Sequence, residues 1–314
     1  MYVYRWDLDR TYLDTAIDSV RGLLRTALED ASDKRTLPGA RALLRGLQQS
    51  DPAAEVCILS GSPTQLRSVL EEKLAIDGIR FDKLILKDNL GNLRRGRLRA
   101  LRGQVGYKLP ILLRERVGLG GAVRESLFGD DSEADALIYV AYAEALAGRL
   151  SSERLSRVLE AGGAYEDHVR LALASLDRLG EADVVDHVFI RLDKRRPPEV
   201  FRLLGHRVKP VHDWLQAALT LHQSGRLDDD SLAACLEATT DTTLGVHAVG
   251  GLVQDAVRRG LVDREHVTTI VRTPAWAAHR DVVEEGLAWL PDRPAPAPRF
   301  EPDFLGFLEA IEDR

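Results

Sequence analysis

The amino-acid sequence predicts an α/β fold, a doubly wound parallel sheet, followed by an all-helical region. Three observations carry this. Up to residue 147, short β-branched or aromatic runs alternate with longer segments of helical period. Three of the four runs end in polar residues, the arrangement expected where a parallel sheet gathers a site beyond its strand ends. Past residue 147 the strand signals vanish, and helical periods joined by short Gly- or Asp-bearing turns continue to about residue 290. A chain of 314 residues exceeds one ordinary domain, so the expected divisions are 1–147, 148–290 and a tail over 291–314.

The first strand, expected over Tyr2 to Trp6, runs into Asp7, Leu8, Asp9, Arg10 and Thr11. A side-chain period of two places Asp7 and Asp9 on the same side. The second strand, over residues 56–59, ends in Ser60, Gly61, Ser62 and Pro63. There a hydroxyl and a backbone amide are suited to phosphate oxygens, while Ser62 and Pro63 also read as the cap and first position of a helix over 63–74. The third strand falls at 84–86 and the fourth at 126–128, the latter followed by G-D-D-S-E-A-D with Asp130, Asp131 and Asp135. Further helices are expected over 39–48 and 109–117, with Lys108 just ahead of the second. Lysine occurs only seven times in the chain.

A formal charge of −6 gives no general attraction to nucleic acid or anionic membrane. The amino terminus lacks the layout of a signal peptide, and no window of about 20 apolar residues is present, so a cytoplasmic location without a transmembrane segment is expected. Cys57 and Cys235 form no metal or disulfide pattern. All eight histidines lie beyond residue 167 without metal-site spacing, which argues against zinc.

The order acid pair, strand-end serine, lysine and Gly-Asp-Asp cluster resembles the haloacid dehalogenase (HAD) superfamily. Within it, S60-G-S-P63 and G129-D-D-S-E-A-D-A-L-I-Y139 are similar to the catalytic domain of actin-patch-associated phosphatidate phosphatases. The resemblance covers residues 1–147 and implies a HAD-like domain with a minimal cap. It implies a Mg²⁺-dependent phosphomonoester hydrolase in which Asp7 attacks phosphorus to form an aspartyl phosphate and Asp9 serves as acid and then base. Lys108 would neutralise and fix Asp7, Thr11 would support the loop, and Ser60 with Gly61 would hold the transferring phosphoryl group. The hard oxygen set of Asp7, the Asp9 carbonyl, Asp130 and Asp131 suits Mg²⁺. One departure is Asp131, where a small residue is expected, which leaves the choice between Asp131 and Asp135 for the metal shell open. The residue types suit the chemistry, because a carboxylate approaches an anionic phosphate only when cations offset the repulsion.

The short intervals between motifs leave room for small caps only. An open cleft follows, fitting a large substrate such as a phosphoprotein, a nucleic-acid end or a phospholipid, unless the helical region covers it. Arg94, Arg95, Arg97, Arg99 and Arg102 form a basic run, read as a solvated face rather than a nucleic-acid or lipid surface because no aromatic residue interleaves. In the helical region a faint repeat begins at Gly148, Gly225 and Gly260, consistent with stacked hairpins or with an irregular bundle. After a Pro-rich spacer, Phe304, Phe307, Leu308 and Ile311 share a helical face that needs a partner on this chain or another protomer. The competing function classes are a protein-binding adaptor using the helical region, and a phosphotransferase with the same intermediate.

Overall fold

The computed structural model describes residues 1–15, 32, 34–88, 103–132, 134–194, 196–241, 245–291 and 301–312. The basic run over 94–102 and most of the Pro-rich spacer lie outside the described residues. In chain order the elements begin with β1 (Tyr2–Trp6), α1 (Ala40–Ser50), β2 (Glu55–Pro63), α2 (Arg67–Ile76), β3 (Lys83–Lys87) and α3 (Val105–Arg116). Then come β4 (Arg124–Asp130), α4 (Asp135–Leu146), α5 (Ser152–Ala161), α6 (Glu166–Leu176), β5 (Val185–Arg191) and β6 (Val208–Val211). The remainder is helical: α7 (Trp214–Gln223), α8 (Asp229–Thr240), α9 (Gly245–Arg258), α10 (Arg264–Ile270), α11 (Arg280–Ala288) and α12 (Phe304–Glu312). No described helix is long and apolar enough to cross a membrane.

The chain divides into two compact units, one of Met1–Arg35, Ala54–Pro210 and Arg299–Arg314, the other of Thr36–Ala53 and Val211–Pro298. The first unit holds a six-stranded sheet of order β3-β2-β1-β4-β5-β6. The pairs β1–β2, β1–β4, β2–β3 and β4–β5 are parallel. From β1 the chain winds outward through β2 and β3, then returns to the other side of β1 as β4. The carboxyl ends of β1 and β4 therefore flank the switch point, where open α/β sheets form their crevice.

Aromatic stacking fixes this centre. Trp6 stacks on Phe128 with ring centroids 4.2 Å apart and the rings nearly parallel, and Phe128 stacks in turn on Phe189 of β5 at 5.2 Å. The register pairs Trp6 with Ile58 on one side and Phe128 on the other. Every residue of α4 is buried, in keeping with a helix apolar on all sides save Asp135 and Glu144. Beneath it, the Glu125 carboxylate takes bonds from Arg5 at 2.5 Å, Arg116 at 2.6 Å and the Tyr142 hydroxyl at 2.9 Å. All four residues are buried.

The strand signals do not end at residue 147, because β5 and β6 extend the sheet beyond it. Asp186 and His187 interrupt the apolar run of β5, and Pro210 breaks that of β6, which hid both strands. Asp186 is satisfied by Tyr2 at 2.9 Å and by Arg124, partners remote in sequence. The second helix also starts later than expected. β2 runs on to Pro63 and α2 begins at Arg67, because the Ser62 hydroxyl is engaged elsewhere and does not cap a helix.

The C-terminal helix α12 docks within the first unit. Phe304 and Phe307 are buried, and the Phe307 ring lies 5.7 Å from that of Phe201. The second unit comprises α1 and α7 to α11, with Trp214 and Trp276 buried in it. At Gly148, Gly225 and Gly260 the faint repeat proves to be one turn used three times. Each glycine adopts a positive φ near 70°, as a left-handed helix terminus requires, and Leu150, Leu227 and Val262, two residues after them, are buried.

Candidate active site

Asp7 follows β1 directly, its amide donating to the Phe128 carbonyl at 3.0 Å, so the first acid is pinned to the neighbouring strand. Asp130 closes β4 and Asp135 opens α4. Carboxylate oxygens of Asp7, Asp130 and Asp135, all three buried, come within 4.8 Å of one another. Lys108, in the first turn of α3, reaches the same point. Its ammonium donates to Asp7 Oδ1 at 3.0 Å and Asp135 Oδ1 at 2.6 Å. The Thr11 hydroxyl lies 3.2 Å from Asp7 Oδ2 and 3.3 Å from Asp130 Oδ2, and its single proton serves one acid at a time. Gly129 is required by the packing: a Cβ there would stand 2.5 Å from Asp135 Oδ2 and 2.7 Å from its Cβ.

Asp9 occupies a different environment. Its Oδ2 accepts from Ser60 at 3.0 Å and Ser62 at 2.7 Å, and its Oδ1 accepts from Thr15 at 3.1 Å. Strand β2 supplies both serines because residues two apart project to the same side. Ser60 also accepts from the Ser62 amide at 2.9 Å. The hydroxyl expected to meet phosphate is therefore engaged with the second acid, while Gly61 stands half-buried between the two serines.

Asp131 is turned away from this cluster. Its Oδ1 accepts from the Lys194 amide at 2.7 Å and its Oδ2 from the Arg196 amide at 3.2 Å. Burial pushes its carboxyl above the usual range despite these amides. Asp130, by contrast, accepts from the Ser132 amide at 2.5 Å and from the Ser132 hydroxyl. Of the two acids left open by the sequence, Asp135 stands with Asp7 and Asp130, and Asp131 does not.

Three buried carboxylates meet one ammonium here, and the donors offered are all hard oxygens. Buried charge of this kind is costly unless paired. The residues present could thus hold a metal ion.

Residues 6–152 match the family model described as the catalytic domain of phosphatidate phosphatase APP1. Over that segment the chain is similar to this family, which is HAD-like. The APP1-type segment spans just under half of the chain and contains every candidate acid and Lys108. No match was found among curated proteins or among solved structures.

Reasoning from sequence missed Ser62, Thr15 and everything contributed by residues 191–196. Ser62 was within reach, since it lies two residues from Ser60 on the same strand. The sequence R191-L-D-K-R-R196, charged and directly after V-F-I, has the form of the other strand ends and was a usable signal for the rest.

Proposed function

We propose that this chain is a Mg²⁺-dependent phosphomonoester hydrolase that works through an aspartyl phosphate on Asp7. The observation that carries the reading is the separation of two carboxylates only two residues apart. Asp7 sits among cationic and metal-holding groups, whereas Asp9 sits in a cradle of hydroxyls. This difference supports reading Asp7 as nucleophile and Asp9 as proton donor and acceptor.

A Asp7 oxygen forms a bond to phosphorus as the bond to the leaving oxygen breaks, and Asp9 gives its proton to that oxygen. Water then attacks the phosphorus of the aspartyl phosphate while Asp9 takes a proton from it, releasing inorganic phosphate and restoring Asp7. Lys108 holds Asp7 and offsets the charge of the incoming phosphate. Asp7, Asp130 and Asp135, with the Asp9 carbonyl, are the proposed metal ligands, and Thr11 orients Asp7 and Asp130. Bound Mg²⁺ would supply charge neutralisation to the transferring phosphoryl group. Ser60 and the Gly61 amide border the place where that group would sit.

Among large substrates, the family description favours a phospholipid, phosphatidate, over a phosphoprotein or a nucleic-acid end. Hydrolysis of p-nitrophenyl phosphate should require Mg²⁺ and vanish in Asp7→Asn. Equal rates for the unaltered chain, the variant and a chelated sample would overturn the reading and favour the adaptor. Phosphatidate vesicles, phosphopeptides and 5′-phosphorylated oligonucleotides then separate the substrate classes.

A further inference from the structure

Arg191, the last residue of β5, and Asp193, Lys194 and Arg196 beyond it lie outside the APP1-type segment, yet they grip both acid-bearing loops. Arg191 Nη1 donates to the Arg10 carbonyl at 3.1 Å and to Asp193 Oδ1 at 2.8 Å. The Arg10 side chain returns to Asp193 Oδ2 at 2.9 Å, which closes a ring around the turn carrying Asp9. Arg10 has a φ of 60°, the one positive value among described residues other than glycine. A side chain adopts that conformation at an energetic cost, so something must hold it. Because Arg10 stands between Asp9 and Thr11, its release would move both.

The second grip is on the loop after β4. Beyond the two amides on the Asp131 carboxylate, Arg196 Nε donates to the Asp131 carbonyl at 3.2 Å. The same guanidinium donates through Nη1 to the Ile311 carbonyl at 3.2 Å, in the last turn of α12. A cation at a helix carboxyl end is favourably placed, so α12 and the Asp131 loop share one arginine. Without the amides, Asp131 would swing free beside Asp130 and compete for the same cation.

We infer that Arg191, Asp193, Lys194 and Arg196 form a positioning element of the catalytic centre. It locks the turn that carries Asp9, turns Asp131 away from the metal-holding acids, and couples their loop to the C-terminal helix. This rests on the reading of Asp7, Asp130 and Asp135 as a divalent-cation site.

The test is Mn²⁺ binding to the full-length chain, followed by electron paramagnetic resonance of the free ion, alongside kcat and KM for p-nitrophenyl phosphate. Arg191→Ala and Arg196→Ala should each weaken Mn²⁺ binding by about 10- to 100-fold, the usual effect of removing a group that orients metal ligands. They should lower kcat more than they raise KM. Arg191→Lys and Arg196→Lys, which keep the charge but lose the planar guanidinium fork, should fall between. Arg124→Ala, which breaks the ion pair with Asp186 at the opposite end of β4, should leave Mn²⁺ affinity unchanged. Unaltered affinity in both alanine variants overturns the inference. So does a loss in Asp131→Asn as large as that in Asp130→Asn, which would make Asp131 a ligand. Should an alanine variant not fold, its lysine variant is read instead: intermediate affinity supports the inference and full affinity overturns it. If the unaltered chain binds no Mn²⁺, the cation-site reading fails and takes this one with it.

Discussion

Lys108 and Asp135 meet at 2.6 Å with both side chains fully buried, and the same ammonium reaches Asp7. One cation therefore holds together acids from the ends of two different elements. Replacing Lys108 by Met should cost about 3–5 kcal/mol of stability, because it leaves the buried carboxylates without their partner. Thermal unfolding should show the loss, and Mg²⁺ should recover part of it while phosphatase activity stays absent.

Asp9 should separate chemistry from folding. Asp9→Asn keeps the shape, and its amide oxygen can still accept from the serines, so the melting temperature should hardly move. Its kcat should fall by about 10²- to 10⁴-fold, the usual contribution of a positioned acid and base. A variant with full activity would remove Asp9 from the mechanism.

The buried Glu125 predicts a pH dependence of stability. Burial raises its pKa, but Arg5 and Arg116 beside it outweigh that effect and hold the carboxyl below the usual range. A carboxylate with a lowered folded pKa contributes stability above its unfolded pKa, near 4.5, and loses it as pH falls through the folded value. Glu125→Gln should be less stable than the unaltered chain by about 3–5 kcal/mol at neutral pH, since two buried guanidinium groups lose their counter-charge. The gap should narrow in acid, as melting curves at both pH values would show.

Gly129→Ala should misplace Asp135. The added methyl would meet the Asp135 carboxylate at 2.5 Å and Tyr139 Cε2 at 2.8 Å, and neither has room to retreat inside a buried helix. Overpacking of this kind costs about 1–3 kcal/mol. Mg²⁺ affinity by calorimetry should drop together with stability.

Phe307→Ala tests the docking of α12. The ring is 3% exposed and packs on Phe201, so its loss should cost about 3–5 kcal/mol. An unchanged melting temperature would mean that the helix contributes nothing in solution.

The first four strands and the acids at their ends were legible because each signal is local. Tyr2, Val3, Tyr4 and Trp6 announce β1, and the acids that follow it lie in the same short stretch. What was hidden depended on partners distant in sequence. Asp186 looks like a break in a strand until Tyr2 and Arg124 are seen to satisfy it, and Asp131 looks like a metal ligand until the amides at 194 and 196 take its oxygens. Ser62 read as a helix cap because its true acceptor, Asp9, is 53 residues away. The membership of α1 was equally obscure, since its apolar face is met by α8 of the second unit.

The placement of β5 bears on how this protein can be divided in the laboratory. A fragment ending at residue 152 would keep the candidate catalytic side chains yet strip β4 of its neighbour from Glu125 to Asp130. Phe128 would lose the ring stacked on it, and a row of unsatisfied amides and carbonyls would face solvent along an apolar strand. Such a truncated polypeptide should self-associate into insoluble material rather than yield a smaller working enzyme.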